Sequence, residues 1–155
     1  MKRLLMVAIA LLAMVQLSIA GGWKADKGLD KMSITGELVC VGCSLKKLNG
    51  ANAQCNLFAH HALGLKTADG SYWSIIDNAV GHDVIRGHKL LKGKSATVSG
   101  WLYPIANMVE FDTINVDGVN AKELAQAGWD EDQDIAKKLL ARQVGEAPVA
   151  VGGHH

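Results

Sequence analysis

Leu63-Gly64-Leu65-Lys66-Thr67-Ala68-Asp69-Gly70-Ser71-Tyr72-Trp73-Ser74-Ile75-Ile76-Asp77 holds two strand-like segments on either side of a turn. Ala62 to Thr67 alternates in part, and Ser71 to Asp77 resumes with Tyr72, Trp73, Ile75 and Ile76, the aromatic and β-branched enrichment of a strand. Between them Ala68-Asp69-Gly70 is turn chemistry, with a glycine free to take positive φ. These residues predict a β-hairpin.

Downstream, Ser95 to Leu102 and Met108 to Val116 form two further strands around Tyr103-Pro104, and Val98, Val109 and Phe111 are candidate core residues. Upstream, Ser33 to Val41 carries Ile34, Leu38 and Val39 among Thr35 and Glu37, and forms the first strand. Ser44 to Phe58 reads as a loop with helical pieces broken at Asn49-Gly50. Asn78 to Leu91 reads as a less regular polar connection in which His82 and His88 are solvated.

The ends have their own character. Lys2 and Arg3, the apolar run Leu4 to Leu17 and the small residues before Gly21 predict a cleaved signal peptide over residues 1–20, with a periplasmic or secreted destination and no stable membrane anchor after cleavage. Without Lys2 and Arg3, 14 of the 16 basic side chains remain against 15 acidic ones. A near-neutral chain without a basic cluster has little electrostatic drive toward phosphate backbones, so no nucleic-acid partner is expected. Residues 21–32 form a flexible leader, 33–118 the barrel domain, 119–145 C-terminal helices and 146–155 a flexible tail ending in His154-His155. Asn120 with Glu123, and Asp130 with Gln133, have capping-box spacing and predict two short helices separated at Gly128. Asp130, Asp132 and Asp134 imitate a calcium loop, but Ile135 and Ala141 replace its glycine and glutamate, so these acids are assigned to a helix N-terminus.

Five strands with a hairpin at the second and third, a longer connection and a closing pair have the element order of a small OB-type barrel. Over about residues 33–118 the chain resembles the exported bacterial OB-fold proteins, through that order and the Gly93 to Leu102 pattern Gly-Lys-Ser-Ala-Thr-Val-Ser-Gly-Trp-Leu. The resemblance implies a mainly β, five-stranded OB-like barrel with a Cys-rich first connection and a short helical tail. Those relatives do not generally place a Cys-x-x-Cys cluster in the first connection, so the resemblance implies nothing about its ligand.

That cluster holds all three cysteines. Cys40, Cys43 and Cys55 fall within sixteen residues and run on to His60 and His61. A tetrahedral zinc site takes four sulfur or nitrogen donors, and a Cys-x-x-Cys turn delivers two thiolates to one ion. Cys40, Cys43, Cys55 and His60 compose a Cys3His set, with His61 as the alternative imidazole; zinc or Cu(I) suits these donors. A continuous helix would rotate positions 55 and 60 roughly 140° apart, so the chain must turn between them. Two other chemistries use the same residues. In an oxidising compartment two thiols can pair, Cys43 with Cys55 for instance, closing a module that binds an envelope protein or an oligomeric ligand. Strand, Cys-x-x-Cys and helix is also the local order of thiol-disulfide oxidoreductases, although no βαβ continuation follows. A c-type haem is disfavoured because Ser44 stands where attachment needs histidine. No open coordination position beside a general base is visible, so the reading is a metal-binding or metal-handling protein, with a thiol oxidoreductase as the enzymatic alternative.

Overall fold

The hairpin turn forms as its residues dictate. Gly70 takes φ +87°, and its N–H donates to Thr67 O at 2.9 Å. Asp69 accepts from Thr67 Oγ1, Ser71 N and Ser71 Oγ, and these bonds, Thr67 first, lower its carboxyl pKa. The computed structural model describes residues 23–24, 27–52 and 62–146.

The strands are β1 (Trp23–Lys24), β2 (Leu29–Cys40), β3 (Leu63–Thr67), β4 (Tyr72–Ile75), β5 (Ser95–Tyr103) and β6 (Met108–Val116). The helices are α1 (Val41–Leu48), α2 (Gly81–Arg86), α3 (His88–Leu91) and α4 (Ala121–Leu140). Five strands close in the order β2-β3-β4-β6-β5 and back to β2, while β1 is an added strand beside the start of β2. All neighbours are antiparallel except β4 and β6, which run parallel with Ser74 opposite Met108. The protein is therefore a mainly β, closed five-stranded barrel of the expected OB-like class.

Closure depends on the length of β2. Its segment Lys31 to Glu37 pairs with β5, whereas Gly36 to Cys40 pairs with β3, so one twelve-residue strand joins both sides. Inward positions alternate along the strands and fill the barrel with Leu38, Leu63, Leu65, Val98, Val109 and Phe111, each at most 1% exposed. The three expected core residues are among them. Trp73 packs against this core and Trp101 is buried. Lys27 and Lys31 also lie over the Trp101 ring, at 5.3 and 6.0 Å from its centroid.

Four local expectations need correction. Residues 29–32, assigned to a flexible leader, belong to β2, and Lys27 and Lys31 pair with Glu110 and Asp112 on β6. Val41 to Leu48 form α1, so the expected Cys-Val-Gly-Cys turn is the start of a helix, while the expected helical piece does end at the Asn49 breaker. The 78–91 connection contains α2 and α3, which bury Val84, Ile85, His88 and Leu91 beneath the barrel. Asn78 starts this segment: its side-chain oxygen accepts from Val80 N and Gly81 N, and its amide donates to Phe111 O.

The fourth correction is that the expected pair of C-terminal helices is the single helix α4, capped by the predicted box at Asn120 and Glu123. Gly128 does not end it. A Cβ there would lie 2.8 Å from Asp83 Cα, so glycine lets α4 cross α2 closely. Asp130, Asp132 and Asp134 consequently sit mid-helix, away from any N-terminus. Asp130 accepts from Gln126, and Asp134 from Lys138, so neighbouring turns of the helix absorb two of these carboxylates.

Candidate functional site

The sequence-predicted site begins where β2 becomes α1. Alternation along β2 points Leu38 and Cys40 inward, and Cys40 is 7% exposed, opposite Leu63 on β3. Cys40 is also the N-cap residue of α1, with extended φ −69° and ψ 106°. Val41 and Gly42 then occupy the first two helical positions and half-buried Cys43 the third. The Cys-x-x-Cys pair thus straddles one helix N-terminus.

Packing fixes this junction on the barrel. A Cβ on Gly64 would lie 2.2 Å from Val41 Cγ2 and 2.5 Å from Trp73 O, so the missing side chain makes the space that Val41 fills. Val41 N–H donates to Ala62 O at 3.4 Å. That bond and the Cys40–Leu63 pairing hold together the two ends of the connection carrying Cys55, His60 and His61.

The electrostatics favour an electron-rich ligand. Cys40 makes no side-chain capping bond and the first turn of α1 holds no acidic residue, so the N-terminal partial positive charge is not offset by a side chain of that turn. Lys46 and Lys47 lie in the last turn, where they complement the opposite pole. An anionic group bound at this end of α1 gains from that field.

Cys55, His60, His61, His154 and His155 lie outside the described residues, as do the predicted signal peptide and most of the tail. Among the described residues no group of three His, Cys, Asp or Glu side chains is arranged to hold a metal, and no helix is long and apolar enough to cross a membrane. The structure therefore places two of the four proposed ligands, Cys40 and Cys43, at one junction.

A second polar site joins α2 to α4. His82, expected to be solvated, has Nδ1 2.7 Å from Asp77 Oδ1 and Nε2 2.7 Å from Asp132 Oδ2. Arg86 Nε lies 3.1 Å from the other oxygen of Asp132. The bonds to Asp132 and then Asp77 raise the imidazole pKa. His88 is 2% exposed instead of solvated, and Glu131 is 7% exposed. A usable signal for the helical setting was present in Val84, Ile85, His88 and Leu91 at helical spacing. Nothing local joined His82 to a carboxylate fifty positions away.

No family model, curated protein or solved structure matches the chain.

Proposed function

We propose that this protein is an exported metal-binding or metal-handling protein, with Cys40, Cys43, Cys55 and His60 as ligands to zinc or Cu(I) and His61 as the alternative imidazole. The carrying observation is the shared neck of the 41–62 connection. Cys40 pairs across the sheet with Leu63, Val41 bonds Ala62, and His61 is covalently joined to Ala62. A connection pinned at both ends concentrates its donors and lowers the entropy lost when they converge on an ion. The α1 N-terminus adds a field that favours thiolate.

A thiol-disulfide redox role is the second reading, supported by the positions of Cys40 at the N-cap and Cys43 in the first turn of α1. In that role Cys55 is dispensable. Elemental analysis of protein purified from its native compartment, combined with a thiol count after denaturation in chelator, separates the readings. The metal reading expects one ion per chain and three thiols. One disulfide, one thiol and no ion would overturn it in favour of a disulfide-closed module that binds another envelope protein. A readily reversible Cys40–Cys43 pair without metal would favour the redox role.

A further inference from the structure

We propose that His82 is a proton-operated latch, whose imidazolium ties α4 to the barrel through Asp77 and Asp132 and whose deprotonation loosens that helix. Neither the metal reading nor the redox reading uses this group. A neutral imidazole has one N–H donor and one lone pair, while the imidazolium has two donors. Both His82 nitrogens lie 2.7 Å from a carboxylate oxygen, on opposite sides of the ring. Only the protonated ring satisfies both contacts; the neutral ring sets a lone pair against a carboxylate at that distance, and one side must open.

The two carboxylates belong to different parts of the fold. Asp77 follows β4, whereas Asp132 lies in the middle of α4, so opening on the Asp132 side releases part of the helix docking. The other charged groups around this contact are Arg86 on the same helix as His82, Asp83 against Gly128, Glu131 beside Asp132, and Lys89 and Asp130 around the adjoining groove. Arg86 also holds Asp132, so the response is a loosening and not a release of α4.

The sign follows from the raised histidine pKa. A group whose folded pKa exceeds its unfolded value contributes its full stabilisation below the unfolded value, about 6.5 for histidine, and loses it as pH rises through the folded value. Buried His88 is common to wild type and variant, so the comparison between them removes its contribution.

Native-state hydrogen exchange on the full mature chain, corrected for intrinsic rates, tests the latch. Opening of the amides at positions 128–135 should increase about two- to tenfold between pH 6 and pH 9 in wild type, a range suited to a half-exposed ionic contact. His82→Gln should flatten that ratio. Should His82→Gln not fold, NMR titration decides: the His82 imidazole should titrate above the free-histidine value in wild type and move down in Asp77→Asn. The same pH ratio in wild type and His82→Gln, or a His82 that titrates at or below the free-histidine value in wild type, would overturn the proposal.

Discussion

α4 and α1 begin in opposite ways. At α4 the Asn120 side chain accepts from Lys122 N and Glu123 N, and Glu123 reaches back to Asn120 N, each bond at 3.0 Å. At α1 the cap is Cys40, which makes no side-chain capping bond. Every helix exposes N–H groups at its start, and serine, threonine, aspartate or asparagine normally satisfies them. α4 follows this rule and α1 departs from it at the position where the chain places a sulfur. α2 and α3 also begin without a side-chain capping bond, at Val80 and Gly87, so what sets the start of α1 apart is the sulfur at its cap. The two helices are alike in another respect: each is seated by a missing side chain, Gly64 under Val41 for α1 and Gly128 against Asp83 for α4.

Substitution can break either half of this comparison. The largest effect is expected at Gly64, because Gly64→Val drives a side chain into both Val41 and the backbone of Trp73. A loss of about 3 kcal/mol in urea unfolding is expected, with α1 displaced from the barrel. Gly128→Val meets Asp83 Cα and adds a β-branched residue in mid-helix, for a loss of about 2 kcal/mol. Unchanged unfolding midpoints in these variants would show that the close approaches do not seat the helices.

The caps separate more finely. Asn120→Ala removes two acceptor bonds and should cost about 1 kcal/mol, read by the same unfolding experiment. Cys40→Ser in metal-free, reduced protein should change stability by no more than about 0.5 kcal/mol, since a serine cap offsets the burial of its hydroxyl. A loss as large as that of a core truncation would mean that Cys40 serves packing.

The same contrast explains what was legible. The Ala68-Asp69-Gly70 turn, the alternation placing Val98, Val109 and Phe111 inside, and the Asn120–Glu123 box are encoded within a few residues, and local reading recovered all three. Gly128 misled because a glycine in a helical pattern reads as a stop, whereas the neighbouring helix uses it as a gap. The three aspartates misled for a related reason: their partners are Gln126, His82 with Arg86, and Lys138, and only the first and last are near in sequence. The short helices over 81–91 escaped because their apolar positions are interleaved with His82, Asp83 and Arg86, whose polarity outweighed the spacing. For the candidate site, the motif marked Cys40 and Cys43, but only the fold joined them to the neck at Ala62 and Leu63.

Cobalt substitution reads out the proposed ligand set, because thiolate ligation to Co(II) produces a charge-transfer absorption whose intensity follows the number of sulfur donors. Titrating the reduced mature protein with Co(II) should give a saturable one-to-one transition of tetrahedral character. The thiolate band should weaken comparably in Cys43→Ser and Cys55→Ser, and less in His60→Ala, where His61 or water can substitute. Absence of a thiolate band in wild type, or its full retention in the Cys40, Cys43 and Cys55 triple serine variant, would rule out the cysteine ligand set.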